Sequence, residues 1–273
     1  MKDTQFDQSD LDIEKLKNAI NKVNSTDFLI ENQTKIDFIK STIPDLQDKI
    51  IVFGKSELEQ LNHLILNAQM FTKNDSSDNS NSYKSKINEI LQNIKSGAYS
   101  NKNTKLSGIK SLFTRDKSIQ IDDFDRLAYD LEGLFIEVKR YENQVLQDLI
   151  LIEKLNKDFL LNYETCFLYV KSMEEKIAGQ NDVLLIDRLD QRINIFKIAL
   201  ENVKTILPML INITRSKMML LDTLNQSFFN VFPSLMQMIK NAYSHQKQSI
   251  SASCSIEIFN IIESWTKLPS TPL

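Results

Sequence analysis

Glycine and proline are scarce. The 273 residues contain five of each, far below ordinary usage, so a sheet protein with many tight turns is excluded and an all-α chain is expected. Cysteine is nearly absent as well. Cys166 and Cys254 stand far apart, which rules out a disulfide scaffold and points to a reducing compartment. No charge of one sign dominates: 33 basic and 36 acidic residues leave a formal charge of −3. Such a balance gives no general attraction to nucleic acid or anionic lipid. Long hydrophobic runs are missing too. The longest, Ile206 to Ile213, is interrupted by Pro208 and Asn212 and falls far short of the ~18 residues of a membrane span. The start, Met1 to Asp10, is polar and acidic, unlike a secretory signal, so a cytoplasmic protein is expected.

The residues of catalysis are thin on the ground. His63 and His245 lie in separate segments, and no His/Cys pair has the spacing of a zinc site. There is no glycine-rich phosphate loop and no G-x-S-x-G elbow. Glu174, Glu175, Asp187 and Asp190 sit at helical spacing and read as solvated flanks. The sequence therefore predicts no catalytic residue, no metal and no cofactor. An oxyanion-reducing enzyme would need an accessible reactive cysteine. Cys166, on an apolar seam, reads instead as a small buried group.

What the chain does have is a long periodic stretch. With 42% hydrophobic and 25% charged residues it can bury a substantial core. From Phe124 through Leu127, Leu131, Leu134, Val138, Tyr141, Val145, Leu149 and Ile152 to Ile177, apolar residues recur at alternating threes and fours. A return arm repeats this at Ile193, Phe196, Leu200, Val203, Leu207, Leu210, Thr214, Met218, Leu221, Leu224, Phe228, Leu235 and Ile239. This is the pattern of two helices facing one another. Between the arms, Gly179 suits a left-handed helix stop and Asp182 the next N-cap. At about 1.5 Å per residue the first arm would span roughly 80 Å. The expected fold is an elongated all-α bundle dominated by an antiparallel hairpin over about 122–178 and 183–248. Pro208 and Pro233 should kink or break the return arm.

Around the hairpin the sequence divides into four segments. Residues 1–72 read as an N-terminal helical cluster: one helix over 10–23, a second capped by Ser25, a break at Pro44, a stop at Gly54 and a helix from Ser56 to about Phe71. Residues 73–121 read as mobile linkers around one helix at roughly 84–95. The run from Lys73 to Ser85 has almost no apolar side chain to offset its ordering entropy. The 96–117 stretch carries Lys102, Lys105, Lys110, Arg115 and Lys117 against Asp116; a solvated linker is its commoner reading, contact with an acidic partner or membrane surface the alternative. Asp122 and Asp123 cap the first arm. Residues 122–248 are the hairpin, and 249–273 a short helix at about 254–267 with a frayed tail.

One polar stripe stands out on the return arm. Lys197, Lys204 and Arg215 are seven and eleven residues apart, one helical face if the helix runs through Pro208. An anion or an acidic partner could lie along them, although the outer face of an amphipathic helix has the same composition.

The return arm also resembles a known family. Arg192-Ile193-Asn194-Ile195-Phe196-Lys197, Ile206-Leu207-Pro208-Met209-Leu210 and Leu224-Asn225-Gln226-Ser227-Phe228-Phe229-Asn230-Val231-Phe232-Pro233 are similar to the successive motifs of the toxic-anion-resistance family named after TelA and KlaA. Arg192, Lys197, Pro208, Ser227, Asn230 and Pro233 fall into its register without a gap. Leu146 to Leu155, Tyr163 to Ile177 and Ser111-Leu112-Phe113 extend the resemblance, with weaker similarity back to Gln33, so that it covers most of 25–240. Ile211, Thr214 and Leu235 stand where the family carries arginine, glutamine and tryptophan, and the C-terminal segment is shorter and different. The resemblance implies a cytosolic helical protein acting in tolerance of tellurite or envelope stress through protein contacts, with other stress-resistance proteins as candidate partners. The competing expectation is a helical interaction or self-association module with no resistance role; an apolar excess on both sides of a helix would favour pairing between chains.

Overall fold

The computed structural model describes residues 13–74, 80–100, 121–244 and 252–268. Among these, every regular element is helical. In chain order they are α1 (Ile13–Val23), α2 (Thr26–Glu31), α3 (Gln33–Thr42), α4 (Gln47–Ile50), α5 (Lys55–Asn74), α6 (Ser80–Ser96), α7 (Phe124–Ala178) and α8 (Val183–Leu224). A π turn (Asn225–Phe229), α9 (Phe232–Ser244), α10 (Ala252–Ser264) and a 3₁₀ turn (Trp265–Lys267) follow. The expected all-α fold and its long antiparallel pair are both present.

Helix starts follow the side chains that can cap them. Ser25 Oγ accepts the Phe28 N–H at 3.2 Å, and Asp123 Oδ1 accepts that of Arg126 at 3.1 Å. Asp182 Oδ1 receives the N–H groups of Leu184 and Leu185 at 3.0 and 3.3 Å. Each satisfies donors that the first turn leaves open. At the end of α6, Gly97 takes φ +75°, while the Ala98 N–H reaches the Asn93 carbonyl at 2.8 Å and the Gly97 N–H that of Ile94 at 3.1 Å. Only a residue tolerant of the left-handed region closes a helix this way.

Two expectations are corrected and a third, the kink or break at Pro208, is narrowed. Gly179 is not left-handed; α7 closes instead through i→i−3 bonds, Gly179 N–H to Lys176 and Gln180 N–H to Ile177. Pro208 does not break the return arm, for α8 runs unbroken through it. Pro208 is exposed while Leu207 and Leu210 on either side are buried, so core packing holds the helix across the missing bond. Pro233 does coincide with a restart, in the first turn of α9, where its missing N–H costs nothing. Finally, the polar run is partly helical: Lys73 and Asn74 end α5, and Ser80 to Ser85 open α6. Its anchor is Tyr83, fully buried, with its ring 5.3 Å from that of Tyr141. Residues 75–79 of that run, the linker basic residues Lys102 to Lys117, the Ser111-Leu112-Phe113 motif, His245 and the tail from Pro269 lie outside the described residues.

The chain forms two compact units, each assembled from two separated segments. The first joins 1–75 to 149–214, and the second joins 76–148 to 215–273. The four segments read from the sequence followed the chain order instead, with the hairpin kept whole. In the first unit, α1 to α5 pack on 149–178 of α7 and 183–214 of α8. Phe28 meets Phe167 edge-on at 6.3 Å, and Tyr169 stacks on Phe196 at 5.8 Å and 5°. Gly54, at φ +63°, lets the chain pass so close to these rings that a Cβ there would lie 2.8 Å from Phe196 and Tyr169.

In the second unit, α6, 124–148 of α7, 215–224 of α8, α9 and α10 surround an aromatic centre. Phe228 and Phe232 each lie against both Phe135 and Trp265, with Phe228 and Trp265 at 4.6 Å. The π turn spends one extra residue here. Its wider loop takes the Ser227 carbonyl out of the α-helical pattern, and the Trp265 indole N–H donates to that carbonyl at 2.8 Å.

The apolar seam of α8 is buried as expected at Ile193, Phe196, Leu200, Val203, Leu207, Leu210 and Thr214. Beyond that point the expected Met218 and Leu221 are only partly buried, and Lys217 and Leu220 take the interior positions.

Candidate functional site

The polar stripe is held by the protein's own carboxylates. Lys197 Nζ lies 2.8 Å from Glu174 Oε1, and Lys171 Nζ 2.8 Å from Glu174 Oε2. Partial burial pushes the Glu174 carboxyl up, but hydrogen bonds from Lys171 and Lys197 outweigh it and hold the group below the usual carboxylate range. Lys204 pairs with Glu201 one turn before it. That bond raises the ammonium pKa against desolvation, with help from the Tyr163 hydroxyl. Arg215 is exposed and belongs to the second unit. Lys197 and Lys204 thus share a flank of α8 in the first unit, each already neutralised.

The positions that carry the sequence resemblance sit mainly in structural settings. Arg192 is 7% exposed; its Nε–H donates to the Phe53 carbonyl at 2.8 Å, and its guanidinium lies 5.2 Å from the centre of the Phe196 ring. Burial lowers its pKa from the ordinary value, and Nη2 is buried without a hydrogen-bond partner. Ser227 and Asn230 belong to the π turn and its exit, where the Asn230 N–H reaches the Asn225 carbonyl at 3.0 Å. Pro208, together with Ile20, Leu207, Ile211 and the amides of Asn21, Asn24 and Asn212, lines a cleft of about 450 Å³ with Lys204 at its edge.

Neither cysteine is poised as a nucleophile. Cys166 is fully buried, its Sγ 3.7 Å from the Glu57 carbonyl, and desolvation with the nearby Glu57 pushes its thiol up to about 12. Cys254 is half-buried and also raised, by desolvation first and Glu257 second. His63 sits over a shallow polar depression with Glu59, Asp158 and Asn162 and contacts the Asn67 amide at 3.1 Å. Among the described residues, no group of three or more His, Cys, Asp or Glu side chains could hold a metal ion, and no helix is long and apolar enough to cross a membrane.

The sequence pattern did not anticipate what the outer side of α8 shows. Ile195, Ile198 and Met209 are 46%, 63% and 51% exposed. Asn202 and Thr205 between them are exposed as well. Their spacing of three, four, three and four is that of a second seam, on a different face from the buried one. The signal was legible in the sequence, but the longer core seam on the same helix overshadowed it.

No protein family, no curated protein and no solved structure matches this chain.

Proposed function

We propose that the protein is a toxic-anion (tellurite) or envelope-stress resistance factor of the TelA kind. It works in the cytoplasm without enzymatic chemistry, as a helical adaptor that holds protein partners. The resistance role rests on the motif resemblance of 192–233. The adaptor role is carried by one observation, the exposed uncharged seam on α8. Solvent-facing Ile195, Ile198 and Met209 at coiled-coil spacing are costly to leave in water and are the kind of surface a partner helix covers. The neutralised lysines of the stripe argue against a free anion as the ligand, because an incoming anion would have to displace Glu174 or Glu201.

The test is a deletion strain of the native host challenged with tellurite and with envelope-active antibiotics. Reduced tolerance that the intact gene restores, and that a Cys166→Ala, Cys254→Ala double variant restores equally well, is the expected result. Unchanged survival under both challenges rejects the resistance role. A double variant that fails to restore tolerance although folded rejects the non-enzymatic one.

A further inference from the structure

Pro208 leaves a backbone acceptor open beside the cleft that it lines. A proline inside a helix has no N–H to give the carbonyl four residues earlier, and in α8 that carbonyl belongs to Lys204. Helix carbonyls point towards the C-terminus, so this oxygen is aimed along α8 at the Pro208 ring, and both residues line the cleft. We infer that the cleft is a binding site for a small neutral molecule, compact and mostly apolar. Its one polar end donates a hydrogen bond from a hydroxyl or an amide N–H.

Size and lining select the apolar part. The cleft holds about 450 Å³, within the roughly 300–1,000 Å³ of small-molecule sites. Its apolar walls are Ile20 on α1 and Leu207, Pro208 and Ile211 on α8, all in the first unit. Ile20 and Leu207 are buried, so the core already fixes two of these walls before a ligand arrives. The polar end is rich in acceptors. Besides the Lys204 carbonyl, the cleft takes in the last turn of α1, where the helix dipole is negative. Asn24 Nδ2 donates to the Ile20 carbonyl at 2.8 Å, which leaves its Oδ1 to accept. Charge decides against an ionised ligand. Lys204 is the one ionisable residue among the described residues that line the cleft, and its ammonium pairs with Glu201. An anion would compete with Glu201 and face the negative end of α1, while a cation would meet the ammonium.

This site is independent of the adaptor reading. Its test uses the full chain and one compact apolar body carrying different ends: adamantanemethanol, its methyl ether, adamantanecarboxylate and adamantylmethylammonium, each titrated by calorimetry. The alcohol should bind with a dissociation constant of about 0.1 mM, and the other probes at least about tenfold more weakly. Pro208→Ala returns an N–H to the Lys204 carbonyl. It should weaken the alcohol about tenfold more than the ether, a split that loss of the proline ring alone would not produce. Ile211→Trp, which fills the cleft, should abolish binding of every probe while the helical circular dichroism stays unchanged. No saturable binding of the alcohol up to about 2 mM overturns the site, as does equal affinity for the alcohol and either ion. Equal weakening of alcohol and ether by Pro208→Ala overturns it too, and so does alcohol binding that survives Ile211→Trp in the folded protein.

Discussion

Lys217 Nζ stands 2.9 Å from Asp148 Oδ2, tying α8 to α7 in the second unit, and the lysine side chain is only 5% exposed. A buried cation is costly to the fold without a carboxylate placed against it. Asp148→Ala should therefore destabilise the protein by about 3–5 kcal/mol, since it removes the carboxylate that neutralises a buried ammonium. Replacing both groups with apolar residues, as in Asp148→Leu with Lys217→Met, should recover most of that loss. Denaturant unfolding of the single and double variants measures both. A single variant as stable as the parent would show that the pair is solvated and carries no weight.

Trp265 closes the aromatic centre of the second unit and donates its indole N–H to the Ser227 carbonyl. Trp265→Ala should cost about 3–5 kcal/mol through the cavity it leaves. Trp265→Phe keeps most of the volume and should lose roughly 1–3 kcal/mol, the cost of a buried carbonyl left without its donor. Because this is the chain's single tryptophan, its fluorescence reports the same transition directly. Unfolding followed by fluorescence and by circular dichroism gives both values.

Gly54 combines a left-handed backbone with a close approach to two rings. Gly54→Ala should cost about 1 kcal/mol for the backbone and a further ~1–3 kcal/mol for displacing Phe196 or Tyr169. Gly97 has the same backbone sign but nothing within 4 Å of its Cβ position. Gly97→Ala should show only the backbone part. The difference between the two melting temperatures isolates the steric component.

Cys166 makes stability depend on alkaline pH. Its folded-state pKa, about 12, lies above the ordinary thiol value, so the buried thiol's contribution is complete below the unfolded-state pKa. It is then lost as pH rises towards the folded one. Unfolding free energy should fall between roughly pH 9 and 12, and less steeply in Cys166→Ala, which lacks the buried thiol. Thiol labelling at pH 8 should modify Cys254 rapidly and Cys166 only on unfolding. Rapid labelling of Cys166 in the native state would contradict its burial.

Much of the fold is written locally and could be read. Ser25, Asp123 and Asp182 are caps whose chemistry acts within three residues, and the apolar period of the long helices survives from Phe124 to Thr214. What could not be read depends on distant partners. Lys217 looks like a solvent-facing residue until Asp148, 69 residues earlier, is seen to neutralise it; reading it as polar moved the expected seam to Met218 and Leu221. Tyr83 anchors the first turns of α6, inside a run that composition alone assigns to a loop. Pro208 was read by its local cost, which packing on both sides absorbs. Lys197 and Lys204 of the candidate stripe lie along one flank of α8, but the counter-ion of Lys197 on α7 has no signature in the return arm. From the sequence, Glu174 reads as a solvated flank.

The two-segment build of each unit has a consequence for how the chain can be made. Synthesis proceeds from the N-terminus, and α1 to α5 emerge long before residues 149–214, the other half of their unit. Their apolar faces must stay uncovered while 76–148, which belong elsewhere, pass by. The first unit can close only when Thr214 has cleared the exit of the ribosome, and the second must wait for its own remainder, 215–273. Folding on the ribosome is thus interleaved, with the first unit completing while only the first piece of the second has been made. The interval in between is the window in which exposed helices are open to misassociation or to a chaperone.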